Sequence, residues 1–304
     1  MKYNTNILTI VLLIIQKLAF TQSPYAMVLG VAQDGGFPQA NCQKECCKAV
    51  FAQKITKQYV SCLAVIDPIS GDKWIFDATP DFTQQLHLLN QESTSGKLGI
   101  FLTHAHIGHY TGIMYLGREA MGASKTKVYA MPKMKNFIEQ NAPWSQLVAL
   151  QNVDLQAIKA DSIITLNERI SVQAFRVPHR DEFSETVGYK IFTPNRSLIF
   201  IPDIDKWQKW NRSLEEAIKS VDYVFLDGTF YRDGEINRPM SEVPHPFVTE
   251  TMDLLKNLST TEKAKVHFIH FNHTNPVMNP KSVERRVVKQ RGFRVAFQGQ
   301  KVGL

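Results

Sequence analysis

No low-complexity tract, Pro/Gly-rich hinge or internal repeat interrupts the 304 residues, which excludes a beads-on-a-linker or solenoid organisation. No dense Lys/Arg run with interleaved aromatics occurs, so the formal charge of +7 does not argue for a nucleic-acid partner. It permits an anionic substrate. No apolar stretch is long enough to span a bilayer, which takes about 20 residues. The best candidate, Ile7 to Phe20, is broken by Gln16 and Lys17. That run follows Lys2 in a segment without Asp or Glu, and is read as a secretory signal peptide over residues 1–22, with an uncleaved amphipathic anchor as the alternative. No small-x-small cleavage site follows it, and no cysteine that would support a lipoprotein anchor. The expectation is an exported protein with residues 23–304 as one domain, no stable membrane span in the mature chain, and an oligomeric state that the sequence leaves open. Removing residues 1–22 takes away Lys2 and Lys17 and leaves a formal charge of +5.

Cysteine is scarce. Of the four, Cys42, Cys46 and Cys47 fall within six residues, and Cys62 sits alone in an apolar run. Adjacent Cys46 and Cys47 pair poorly with each other, and the clustering fits metal ligation better than a disulfide framework. Buried thiols, or one bridge of the Cys42–Cys47 type, remain alternatives.

What is plentiful is strand-like sequence. Apolar runs recur at 26–32, 59–66, 73–76, 99–102, 127–130, 171–177, 186–192, 197–201, 221–226, 266–271 and 293–297. Helical spacing marks 111–121, 132–140, 214–220, 246–258 and 280–290, three of them opened by proline. Strands dominate both halves, which predicts a two-sheet core with helices outside rather than one doubly wound sheet.

Nine histidines are spread over the chain, yet three of them, His104, His106 and His109, fall within six residues directly after the run Leu98–Leu102. Neutral imidazole is the commonest metal ligand. Other polar residues recur where apolar strands give out: His179 after Val177, Asp203 after Ile201 and His270 after Ile269. Ligands on strand ends converge at one sheet edge, which predicts a divalent-metal shell with room for water. His267 is three residues from His270 on the same strand, faces the other way and is read as a core or surface histidine; His87 is read as an ordinary helix residue. The usual metal-hydrolase pattern is His-x-His-x-Asp-His, and Gly108 stands where its Asp belongs. The spacing resembles that of the metallo-β-lactamase superfamily, and the resemblance implies a second metal site that is here one carboxylate short unless Asp205 or a water substitutes. One tightly held ion follows from this, with Zn²⁺ first and Fe²⁺ or Mn²⁺ as alternatives.

The order His-x-His-x-x-His, His, Asp, His resembles the metallo-β-lactamase superfamily. The segment Ile75-Phe76-Asp77-Ala78-Thr79-Pro80-Asp81 is similar to its early strand-and-Asp element. A closer resemblance is to the coenzyme PQQ synthesis protein B group, carried by Leu29-Gly30-Val31-Ala32-Gln33-Asp34-Gly35-Gly36-Phe37-Pro38-Gln39-Ala40-Asn41-Cys42, by Thr111–Glu119, by Asp227-Gly228-Thr229-Phe230 and by His273-Thr274-Asn275-Pro276. The resemblance implies an α/β (α+β) fold, an αββα sandwich of two mixed sheets flanked by helices. It implies that His104, His106 and His179 hold a first metal, that Asp203 bridges, and that His109 and His270 hold a second. His245 and Asp227 would form a proton-donating pair. Cys42, Cys46, Cys47 and His273 would hold a structural zinc of Cys₃His type, with one ligand shifted from the Cys-x-Cys-x-x-Cys spacing of related phosphodiesterases. The function implied is a metal-dependent hydrolase of a small anionic substrate. The alternatives are an iron-dependent oxygenase or carrier related to pyrroloquinoline quinone biosynthesis, and a non-catalytic ligand-binding protein.

Overall fold

Strand burial alternates by residue but leaves neither face wet. In the computed structural model, which describes residues 23–237 and 239–304, Ala26, Val28, Leu63 and Val65 join one apolar cluster, while Met27, Leu29, Cys62, Ala64 and Ile66 join another. Strands buried on both faces read as continuous apolar runs, which is why they stand out in the sequence.

Fourteen strands are described: β1 Tyr25–Gly30, β2 Cys62–Ile66, β3 Lys73–Phe76, β4 Leu98–Phe101, β5 Thr126–Ala130, β6 Val153–Ala157, β7 Ile163–Thr165, β8 Ser171–Arg176, β9 Val187–Phe192, β10 Ser197–Ile201, β11 Tyr223–Asp227, β12 Val266–Ile269, β13 Arg294–Val295 and β14 Lys301–Gly303. They form two seven-stranded sheets, ordered β14-β1-β2-β3-β4-β5-β6 and β13-β12-β11-β10-β9-β8-β7. Both are mixed. Pairings from β14 to β3 are antiparallel and those from β3 to β6 parallel; in the second sheet β10 to β13 pair in parallel and β7 to β10 antiparallel.

One cluster joins both sheets through Phe76, Phe101, Tyr189 and Phe200. Phe76 stacks on Phe101 at 5.0 Å and meets Tyr189 edge-on at 5.3 Å. The outer face of the first sheet is covered by the helices Phe82–Glu92 and Pro132–Gln140 through Phe82, Leu89, Met134 and Ile138. The helices Leu214–Lys219, Val248–Leu254 and Val283–Gln290 supply Leu214, Ile218, Val248, Met252 and Val288 to the larger cluster. Helix, sheet, sheet, helix is the layering the sequence predicts.

Some differences are instructive. The helix expected over 111–121 is a helical turn, Ile107–Tyr110, followed by a 3₁₀ segment, Thr111–Leu116, and Gly117 then turns extended at ψ 169°. The strands β6, β7 and β14, absent from the sequence reading, lie at sheet edges. An edge strand has one open ladder and less apolar surface to hide, as Asp154 and Gln156 in β6 show. The short helices Glu45–Phe51 and Trp144–Ala149 also escaped that reading. No helix among the described residues is long and apolar enough to cross a membrane. The signal-peptide or anchor reading of residues 1–22 lies outside the described residues.

Candidate metal centre

Parallel strands of both sheets end at the same place. Past β3 comes Asp77, past β4 the turn 103–106, past β10 Asp203, at the end of β11 Asp227 and past β12 His270. Asp77 and His270 have left-handed backbones, with φ 72° and 65°. That conformation is costly for a side chain other than glycine's and persists where surrounding contacts fix it.

Those contacts are hydrogen bonds that orient imidazoles. Asp77 accepts from the Thr103 N–H at 2.8 Å, the Thr103 hydroxyl at 3.0 Å and His109 Nδ1 at 2.7 Å. With its proton given to Asp77, the Thr103 hydroxyl accepts from His104 Nδ1 at 2.9 Å. The second sheet repeats the device. Thr229 donates to Asp227 at 2.7 Å and accepts from His270 Nδ1 at 2.9 Å. In each case Nδ1 carries the proton outward and Nε2 faces inward. Outer partners of this kind fix the tautomer that a metal needs.

Four groups of ligand-type atoms result, each within 4.8 Å. His104, His106, His179 and Asp203 form one. In it His104 Nε2 lies 2.8 Å from His106 Nδ1 and 3.4 Å from Asp203 Oδ2, and His179 Nε2 lies 3.2 Å from Asp203 Oδ2. A second contains Asp34, His109, Asp203 and His270. Asp34 Oδ1 is 3.0 Å from His109 Nε2 and 3.2 Å from His270 Nε2, and Asp203 Oδ2 is 3.9 Å from His109 Nε2. Donors held about 2 Å from one divalent ion lie roughly 3 to 3.5 Å apart, so most of these spacings suit a shared cation. His179 Nδ1 and Nε2 and Asp203 Oδ1 are buried with no hydrogen-bond partner. Buried polar atoms left open in this way are rare, and a bound ion would satisfy His179 and Asp203.

The electrostatics agree with that fit. Burial, reinforced by the charge of His109, holds His104 well below the usual imidazole range. Burial also lowers His106. Both are therefore neutral and free to ligate. Burial would depress His109 too, but the Asp77 and Asp34 carboxylates outweigh it and lift its pKa well above normal. A cation at Nε2 would take the place of that proton. Burial would raise Asp203, yet His179 and His245 pull it far below the carboxylate range.

A further group combines Asp203, Asp227, His245 and His270. His245 Nδ1 lies 2.8 Å from Asp227 Oδ2 and 3.2 Å from Asp203 Oδ1. Burial would lower the pKa of His245, but these two carboxylates push it up to about 10. The ring lines a cleft of about 390 Å³ together with Arg180, Phe230, Val243 and Asn272.

The fourth group, away from this centre, places Cys42, Cys46 and Cys47 around His273. Their Sγ atoms lie 3.5, 3.7 and 3.5 Å from its Nδ1. All four cysteines are free, so the Cys42–Cys47 bridge is set aside. Burial pushes the Cys47 thiol up to about 12, and a zinc ion would be needed to hold it as thiolate. Cys₃His is a normal closed zinc shell.

Two expectations change. Asp205 does not replace the missing carboxylate: it accepts from the Lys206 N–H and the Lys209 Nζ, both at 2.6 Å, and belongs to none of the four groups. The second group is not short of a carboxylate either, because Asp34 stands in it. Sequence reasoning quoted the Gln33-Asp34-Gly35-Gly36 block without assigning Asp34, and it passed over Thr103 and Thr229. Of the core and surface alternatives for His267 the structure takes the first: it is buried, stacked on Phe225 at 5.0 Å. His87 is exposed on the helix Phe82–Glu92.

Residues 73–271 match the family described as "Beta-lactamase superfamily domain". Coenzyme PQQ synthesis protein B of Rhizobium meliloti is 27% identical over 308 residues, covering 91% of this chain and 97% of that protein. The protein of the same name from Methylococcus capsulatus is 25% identical, covering 91% and 99%. Among solved structures, Zn²⁺-bound PqqB from Methylobacterium extorquens superposes with a TM-score of 0.78 at 23% identity, covering 92% of this chain and all of that one. A diphosphatase from the PhnP family superposes at 0.63 and 19% identity, covering 92% and 97%. The strand ends that gather the imidazoles fall inside or at the border of the matched span, and the chain belongs to the beta-lactamase superfamily, with coenzyme PQQ synthesis protein B among the proteins it resembles over nearly its whole length.

Proposed function

We propose that this protein is a metal-dependent hydrolase of a small anionic substrate. The observation that carries the reading is Asp203, whose carboxylate is shared by two adjoining sets of ligand atoms beside a His245–Asp227 pair that opens onto a cleft. His104, His106, His179 and Asp203 would hold one ion, and His109, His270 and Asp203 would contribute to a second. Zn²⁺ bound in such a site supplies Lewis acidity and a water whose pKa falls to about 7.

The remaining work belongs to the chain. Asp227 holds His245 Nδ1 and its carboxylate favours the protonated ring, so the imidazole is oriented to give a proton from its other nitrogen to a leaving group in the cleft. Arg180 on the cleft wall offers a fixed positive charge to an anionic substrate, and Asn272 a neutral hydrogen-bonding group. The similarity to a diphosphatase of the PhnP family supports a phosphorylated substrate. Exported localisation stays part of the proposal and rests on the N-terminal sequence alone.

Zn²⁺-loaded protein should hydrolyse at least one of a panel of small phosphate monoesters, phosphodiesters and diphosphates. His104→Ala should abolish turnover and His245→Ala should lower kcat by roughly 10²-fold or more. Absence of hydrolysis with Zn²⁺ or Mn²⁺ would overturn the reading. A second reading, an iron-dependent oxygenase or carrier related to pyrroloquinoline quinone biosynthesis, is favoured by similarity to coenzyme PQQ synthesis protein B across 91% of the chain. Oxygen consumption by Fe²⁺-loaded protein, without hydrolysis, would select it.

A further inference from the structure

Gly108 occupies the sequence position where the superfamily pattern has its aspartate, and the space its side chain would fill is taken. A Cβ built on Gly108 would lie 2.6 Å from both Asp34 Cα and Asp34 Oδ1 and 2.7 Å from Asp34 Cγ. Real Cβ atoms do not approach other atoms this closely, and the obstruction includes backbone. Asp34 thus brings a carboxylate, from 74 positions earlier in the chain, into the volume that a residue at 108 would claim.

Asp34 is held there by backbone, not by a floppy loop. Ala32 bridges to both Val60 and Phe271, and the Gln33 N–H donates to the Phe271 carbonyl at 2.8 Å. The Gly36 N–H closes a turn onto the Gln33 carbonyl at 2.7 Å. Phe271 directly follows His270, so the segment carrying Asp34 is laced to the segment carrying the imidazole it faces. Its carboxylate meets the inward Nε2 atoms of His109 and His270 at 3.0 and 3.2 Å.

We infer that Asp34 is a transplanted ligand of the second metal, standing in for the absent carboxylate at 108, and that glycine at 108 is required for it, because the backbone and carboxylate of Asp34 leave no room for a side chain there. The inference rests on the reading of this centre as a metal site. It makes the centre binuclear in its ligand count, with Asp34, His109, His270 and the shared Asp203 around the second ion.

The test is the zinc content of purified full-length protein after equilibration with Zn²⁺ and removal of loose metal. The reference is the zinc that remains in His104→Ala/Asp203→Ala/His270→Ala, which removes ligands from both groups and leaves the Cys42–Cys46–Cys47–His273 cluster intact to report folding. The wild type should carry two ions beyond those at the cysteine cluster. Asp34→Asn should lose one of them or bind it at least about tenfold more weakly. Gly108→Ala should do the same with Asp34 chemically untouched. Gly108→Asp should not raise the count above wild type, because its side chain meets the backbone of residue 34. Two ions retained in Asp34→Asn would overturn the role of Asp34 and leave the metal site standing. Wild type with no zinc beyond the cysteine cluster would overturn the metal site itself, and Asp34 would then be merely a partner of His109 and His270. A second ion held as tightly in Gly108→Ala as in the wild type would overturn the requirement for glycine at 108.

Discussion

Asp77 shows how much one buried carboxylate organises. It is fully buried, accepts three hydrogen bonds and sits at φ 72°. Asp77→Ala strands the Thr103 N–H and His109 and places alanine in a left-handed backbone, so unfolding free energy should fall by about 3 to 5 kcal/mol, read from the urea midpoint. Glu235 makes an opposite, pH-dependent case. Burial lifts its carboxyl to about 7 against the hydrogen bonds it accepts from the Tyr231 N–H and the Thr274 hydroxyl. The folded state holds this proton more tightly than the unfolded chain, so the stabilisation is complete below the ordinary glutamate range and lost as pH rises through about 7. Glu235→Gln cannot titrate. Relative to wild type, its Tm should gain between about pH 5 and about pH 8, and a constant Tm difference would contradict the assignment. At this scale the sequence was most legible where ligands cluster locally. His104, His106 and His109 announce themselves. Asp34 does not, because a lone Asp in a Gly-rich turn carries no periodic signal, and only the fold puts it beside Gly108.

At the scale of elements, the strands that carry the site are the central ones, and these were also the easiest to read. Both faces of β3, β4, β10, β11 and β12 are covered, so their sequences are mostly apolar, with His267 in β12 the one charged or polar residue inside a strand rather than at its end. Rigid strand ends hold ligands more accurately than loops. The edge strands β6, β7 and β14 and the short helices were hidden because many of their residues meet water and their pattern is mixed. Packing between the sheets fixes the relative position of the two sets of ligands. Phe76 touches Phe101 within its own sheet and Tyr189 and Phe200 across the interface. Phe76→Ala should cost about 3 to 5 kcal/mol. Because it slackens the contact between sheets, it should also weaken zinc binding at the histidines, checked by competition with a chromophoric chelator.

Across the whole molecule, the first sheet contributes His104, His106 and His109, the second contributes Asp203, Asp227 and His270, and the loop after β1 contributes Asp34. No half of the chain carries a complete shell, so a metal held there would couple its binding to folding, and removing it should lower the cooperativity of unfolding as well as Tm. The cysteine cluster joins this economy through its histidine. His273 follows His270 after two residues and holds its place among Cys42, Cys46 and Cys47. The thiols line no catalytic group, yet they anchor the far end of the turn on which His270 is carried. Peroxide that turned those sulfurs into sulfenic acid or a bridge would free His273 and unfasten that turn. Oxidative stress would then be felt as loss of the neighbouring ion, in a centre that contains no sulfur at all.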